Sequence, residues 1–413
     1  MASCSTLDML SNLPENILEN IFSRMSMRSV VRTSVLSTKW RYKWISVPHL
    51  TFNDNCMPVS RGHDILVKIV NHVLLLHRGP VVTFRIASSQ LQTCSDIDSW
   101  ILYLSFHSVK EFKLQISQSK RHNLPQCLFS YGQLTHLILN GCIIVHPVTF
   151  KGFSCLKSLL LEKVTLSNAT LEILVSTCPQ LERLTLIDID GPSHIELNNP
   201  KLKFLYIFGN FIDICLKDLS TLDSANFCAT NAAHADQQRT CNFTNFFGSI
   251  LSIQKLVIRG CFLQSLAIDD VPRRLPFTYD HMKSLSFTLN EEDMKEILIA
   301  ICLLKSSPNL QEVEILLWRS KESAIVPVMD LQEARDQMKC TFNKLRVVKI
   351  SKFLGREIEL EFIKFILANS PVLETMNISP ATNGVDEVLM LKELLRFKRA
   401  SPQAEIVYLD PKI

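Results

Sequence analysis

Glycine is scarce in this chain, 11 residues in 413, and none of them builds a phosphate-cradling or dinucleotide-binding loop. That argues against a doubly wound nucleotide-binding domain, which wants a glycine-rich first turn and strands of continuous hydrophobics. Charge of one sign is not in excess: 44 basic residues face 40 acidic ones, so the whole molecule is no polyanion binder. Long hydrophobic runs are missing too; the longest, Ile297 to Leu304, is far too short to span a membrane. The start of the chain lacks the basic-then-apolar pattern of a secretory signal. The 13 cysteines are scattered from Cys4 to Cys340, with no C-x-x-C pair and no zinc-ligand spacing. Such thiols suit small buried hydrophobes in a reducing compartment, so the expected location is cytoplasm and/or nucleus. No nucleophile elbow, P-loop or H-E-x-x-H occurs, and the 11 histidines are dispersed. The chain is therefore expected to be no enzyme, and to carry no metal or cofactor.

What is present starts at the N-terminus. Pro14 stands where the first turn of a helix tolerates proline. Behind it, Ile17, Leu18, Ile21, Phe22 and Met25 form one apolar helical face. Val30, Val31, Val35 and Leu36 make a second apolar segment. Ser37 is placed to cap a third helix carrying Trp40 and Trp44 at i, i+4. About forty residues are marginal alone, so this segment needs a partner surface. The first fifty residues hold six Lys/Arg against three Asp/Glu, and "KWRYKW" interleaves them with aromatics. Aromatics at helical spacing pack against a core, so this run is expected to bind no nucleic acid.

"LSNLPENILENIFSRM…SVVRTSVLSTKWRYKW" also resembles a plant-type F-box. Leu-Pro opens its first helix, and Arg32, Ser34, Leu36, Ser37, Trp40 and Arg41 match the closing positions of the motif. The resemblance implies docking on a SKP-type adaptor and, through it, a cullin of a ubiquitin ligase. The residues expected to carry that contact are Leu13, Pro14, Ile17, Leu18, Ile21, Val30, Val31, Leu36 and Trp40. Some must instead pack the helices together, and the sequence does not separate the two jobs.

Beyond residue 80 one spacing recurs: an apolar residue, two others, an apolar residue, one other, an apolar residue. Leu134-Leu137-Leu139, Leu156-Leu159-Leu161, Leu181-Leu184-Leu186 and Leu202-Leu205-Ile207 are examples, and the series runs from Val81-Phe84-Ile86 to Leu373-Met376-Ile378. This is the signature of leucine-rich repeats with irregular units. Helical stretches lie between the motifs. Asn290 is expected to cap one of them and Asn168 stands at the head of another. Pro179, Pro308 and Pro371 each precede the next motif by two residues and reset the chain into a strand. Such a strand–loop–helix unit must stack on its neighbours to bury its apolar face.

The C-terminal stretch "CTFNKLRVVKISKFLGREIELEFIKFILANSPVLETMNIS" with "LLRFKRASPQAEIVYLD" resembles the FBD domain of plant F-box/FBD/LRR-repeat proteins. Its last segment is expected to repeat the pattern through Ala404, Val407 and Leu409. The fold class is therefore α/β: a three-helix F-box (8–50), a helical linker (51–80), an irregular repeat solenoid with a parallel concave sheet (81–334), and an FBD-type region (335–413). Residues 228–245 and 319–339 break the rhythm and are expected to be loops.

Strand alternation turns the residues flanking the inward leucines to the other side of the sheet. This selects His136, Asn140, Glu162, Arg183, Phe204, Tyr206, Phe208, Lys255 and Arg259 as candidates for holding a target. The three aromatics would anchor a protein contact; Arg183, Lys255 and Arg259 would accept acidic or phosphorylated segments. The leading expectation is a substrate-recognition subunit of an SCF-type ubiquitin ligase with an unknown protein substrate. A small-molecule or hormone receptor and a ligase-independent scaffold are the alternatives.

Overall fold

The computed structural model describes residues 13–25, 27–36, 40–56, 62–117, 120–230, 243–266, 274–290, 293–318, 341–381 and 387–409. The chain divides into two compact units, Met1–Pro192 and Ser193–Ile413.

The first unit opens with the helices Glu15–Ser23 and Met27–Thr33. Pro14 is the N-cap residue (φ −56°, ψ 148°), and its carbonyl accepts the amides of Ile17 and Leu18 at 3.0 and 3.1 Å. The expected third helix differs. Among the described residues the segment holds a 3-10 turn, Lys43–Ser46. Pro48 ends this turn by holding its predecessor Val47 out of helical geometry at φ −66°, ψ 122°. The proposed cap Ser37 lies outside the described residues. Trp40 still finds its core: its ring meets Phe22 edge-on at 5.6 Å, inside a cluster with Leu18, Val30 and Val47.

A parallel ladder follows, β1 (His49–Asn53), β2 (Thr83–Ala87), β3 (Glu111–Gln115), then β5 (His136–Asn140), β7 (Ser158–Glu162) and β8 (Arg183–Ile187), each paired with the next. The short strands β4 (His122–Asn123) and β6 (Cys142–Ile143) pair separately. The register is unbroken, so Leu50, Phe84, Phe112, Leu137, Leu159 and Leu184 stand in one row, with Phe52, Ile86, Leu114, Leu139, Leu161 and Leu186 beside it. Every one of these side chains is buried. Helices His63–Leu76, Ser95–Ser105 and Asn168–Ser176 supply the crossovers that parallel strands require.

β1 is a departure from expectation: the residues assigned to a helical linker begin with a strand of the ladder. Val47, Leu50 and Phe52 carry the same spacing as Val81, Phe84 and Ile86 and are buried alike. Their repeat overlaps the end of the F-box, which hid it.

The second unit continues in kind. β10 (Phe204–Gly209), β12 (Ser224–Ala229), β13 (Lys255–Gly260), β14 (Ser284–Asn290), β15 (Glu312–Trp318), β16 (Val347–Phe353), β17 (Thr375–Pro380) and β18 (Glu405–Tyr408) form a parallel ladder; β9 (His194–Asn198) and β11 (Asp213–Lys217) pair apart. Leu205, Ala225, Leu256, Leu285, Val313, Val348 and Met376 share a fully buried row. The Ser-Pro steps act as anticipated, with a detail added. Buried Ser307 and Ser370 return their hydroxyls to the carbonyls of Leu303 and Ile366, both at 2.7 Å. Pro308 and Pro371 then occupy the second position of a turn closed by Leu310 and Leu373.

One helix cap and one register need correction. Asp293, not Asn290, caps the helix Met294–Lys305, accepting the Lys295 amide at 2.9 Å. Ser167 caps the helix Asn168–Ser176 through Thr170. In β18, Ile406 and Tyr408 align with the inward Met376 and Ile378, so Val407 lies on the opposite face. The loop expectation for 319–339 falls outside the described residues, as does most of that for 228–245.

Candidate adaptor and target surfaces

The helix Glu15–Ser23 presents two apolar faces. Leu18 and Phe22 point into the cluster, 5% and 3% exposed, while Ile17 and Ile21 stand 42% and 37% exposed. Each pair is i, i+4, so the five-residue stripe read from the sequence is an inward and an outward stripe side by side. The second segment divides the same way: Val30 is 1% exposed, Val35 85% and Leu36 70%. Of the residues expected to meet an adaptor, Pro14, Ile17, Ile21 and Leu36 are therefore exposed. Leu13 and Val31 are half-buried. Leu18, Val30 and Trp40 are interior and hold the segment together. Val35 belongs with the exposed group and was missing from the candidates; a valine that fits no inward period was the signal for it.

The ladder residues opposite the core rows form the second surface. In the first unit, His136 is aligned with Ser158 and Arg183, and Asn140 with Glu162 and Ile187. His136 and Arg183 are exposed and Glu162 half-buried, but Asn140 is buried and offers nothing to a partner. Arg85 and Glu111 pair on this face.

In the second unit, Phe204, Tyr206 and Phe208 all lie on that face of β10, half-buried. Their neighbours on β12 are the smaller Ser224, Asn226 and Cys228, followed on β13 by Lys255, Val257 and Arg259. Arg259 is engaged: its guanidinium lies 2.9 Å from the Glu314 carboxylate, which also accepts the Ser286 hydroxyl at 2.8 Å. Burial works against ionising Glu314, but the Ser286 hydroxyl and the Arg259 charge outweigh it and hold its carboxyl below the ordinary value. An acidic target would have to compete with Glu314 for Arg259. Lys255 is exposed and four residues away along β13. Burial pushes the Cys228 thiol up, against the pull of Arg259, so it is a poor nucleophile.

Dispersion along the sequence concealed one constellation. His122 is buried with Nε2 2.9 Å from Asp98 Oδ1 and Nδ1 2.8 Å from Thr93 Oγ1. The connectivity is that of a triad, yet its members fasten β4 to the first turn of the helix Ser95–Ser105 and the loop before it. Among the described residues no three His, Cys, Asp or Glu side chains are grouped to hold a metal ion. No described helix is long and apolar enough to cross a membrane. Nine cysteines from Cys94 to Cys302 are free thiols.

Comparison with known proteins follows the same divisions. The F-box domain model matches residues 10–51, the LRR repeats of FBD-associated F-box protein At5g56370 match 97–315, and the FBD model matches 332–378. F-box/FBD/LRR-repeat protein At1g13570 of Arabidopsis thaliana is 37% identical, over 98% of this chain and 99% of its own. Two other proteins of that plant are similar over their whole lengths: FBD-associated F-box protein At5g56370, 27% identical over 97% of this chain, and Probable FBD-associated F-box protein At1g32375, 26% identical over 97%. Domain order, repeat register and identity across nearly the full length agree: the chain belongs to the F-box/FBD/LRR-repeat protein family.

Proposed function

We propose that this chain is the substrate-recognition subunit of an SCF-type ubiquitin ligase. Its F-box engages a SKP-type adaptor, and the repeat ladder presents a protein target to the ligase. The observation that carries the reading is the outward apolar set Ile17, Ile21, Val35 and Leu36 on a segment matching the F-box. Apolar side chains at this exposure on a small helical module call for a covering partner. The outward residues of the ladder supply a second surface, opposite the buried rows. Catalysis then resides in the partners, and this chain contributes proximity. It acts in the cytoplasm or nucleus, where thiols stay reduced.

The test is co-expression of the full chain with a SKP-type adaptor. One stable complex is expected at wild type, lost when Ile17 and Leu36 are both changed to Asp while the melting temperature holds. A folded chain that ignores the adaptor would favour the scaffold alternative. The target site is tested by Phe204→Ala with Tyr206→Ala, which should reduce capture of a bound target and leave adaptor binding intact.

A further inference from the structure

An apolar groove of about 520 Å³ opens beside the F-box in the first unit. One wall is the F-box helix Met27–Thr33, through Met27 and Val31; Trp44 closes one side. The other wall is the helix His63–Leu76, which lies wholly beyond the residues matched to the F-box. Ile65, Lys68, Ile69 and His72 fall at i, i+3, i+4 and i+7 on that helix, so a single face lines the groove. Leu75, 82% exposed, extends the stripe by another turn.

The rim has one sign of charge. Arg28, Arg32 and Lys68 are exposed, His72 stands beside them, and no residue lining the groove is acidic. A half-open apolar trough of this size accepts the side chains of one helix face, with i, i+3 or i+4 and i+7 anchors. The basic rim selects a helix whose flanks carry Asp or Glu. Five of the lining residues, Met27, Arg28, Val31, Arg32 and Trp44, belong to the F-box, and the turn after its second helix carries the exposed Val35 and Leu36.

We infer that the adaptor's footprint continues past the F-box into this groove, where an acidic amphipathic helix of the adaptor docks against Ile65, Lys68, Ile69 and His72. The inference rests on the adaptor reading above and adds to it a contact outside the F-box. Continuity with the exposed F-box face identifies the adaptor as occupant, and the basic rim sets the charge its docking helix must carry.

The experiment measures the Kd of the purified full chain for a SKP-type adaptor. It compares wild type, Lys68→Glu with His72→Glu, and Lys151→Glu with Lys157→Glu, a charge change at exposed positions away from the groove. The groove pair is expected to weaken binding about tenfold at low salt, with the gap narrowing as salt is raised, while the control pair stays within about twofold. If the reversal disturbs the helix, as a lowered melting temperature would reveal, Lys68→Gln with His72→Gln replaces it and should weaken binding by a smaller factor. Binding within twofold of wild type for a folded groove variant, alongside loss on Ile17→Asp with Leu36→Asp, overturns the groove and leaves the ligase reading standing. A wild-type chain that does not bind the adaptor overturns both.

Discussion

Glu296 is 1% exposed, and its carboxylate oxygen accepts the Asn290 amide at 2.7 Å. Burial pushes its carboxyl up to about 8, against the pull of that amide, and neighbouring Asp293 adds to the rise. A carboxyl whose value is higher folded than unfolded favours the folded state while protonated. That contribution is whole below about 4.5 and fades as pH climbs toward about 8. Stability at pH 8 should therefore fall short of that at pH 5 by on the order of a few kcal/mol from this group. Glu296→Gln keeps an acceptor for the amide and removes the charge. Its melting temperature should lose less between pH 5 and 8 than the wild type's. An unchanged slope would show that the site relaxes on ionisation. The F-box offers a sharper contrast between neighbours. Leu18→Ala removes an interior side chain and should cost about 2–5 kcal/mol. Ile17→Ala, one residue earlier and 42% exposed, should leave stability nearly untouched and weaken adaptor binding. Thermal melts paired with binding assays separate the two.

Strands were the most legible elements, because each inward pair is fixed by a spacing that survives irregular repeat length. The errors arose where two signals overlapped or a single residue set the phase. β1 was hidden because Val47 and Leu50 border the F-box, whose own apolar pattern claimed them. β18 slipped by one residue because Ile406, Val407 and Leu409 are all apolar; only pairing with β17 shows that Ile406 and Tyr408 are the aligned residues. Asn290 and Asp293 are both good caps, and the helix begins after the later one. The outward side of the ladder was legible as a face but not as a set of free charges, since the bond from Arg259 to Glu314 spans 55 positions of sequence. One turn is open to a direct test. Gly260, at the end of β13, has φ +61°, and a Cβ there would stand 2.1 Å from the Ala229 carbonyl oxygen. Gly260→Ala should destabilise the protein by about 1–3 kcal/mol. A denaturation midpoint equal to wild type would mean that β12 and β13 can part locally.

At the scale of the molecule, a parallel ladder has an end that must be closed. In the second unit the outermost strand is β18, only four residues long: the Glu405 and Leu409 amides bond to the Glu374 and Ile378 carbonyls at 2.9 and 2.8 Å, and Ser401 reaches the Leu373 carbonyl at 2.7 Å. A chain ending at residue 398 would bare the β17 edge. It should self-associate in light scattering while keeping adaptor binding, which depends on the other end of the sequence. A monomeric truncation would show that the edge is protected by other means. The alternation along these strands has a wider consequence. On β10 and β13 the inward residues are written in one alphabet and the outward residues in another. A point change at Tyr206 or Lys255 leaves the buried rows as they were, so the outward face can be rewritten letter by letter while the fold is inherited intact. Such a scaffold is highly evolvable: gene copies can diverge on that face without relearning how to fold.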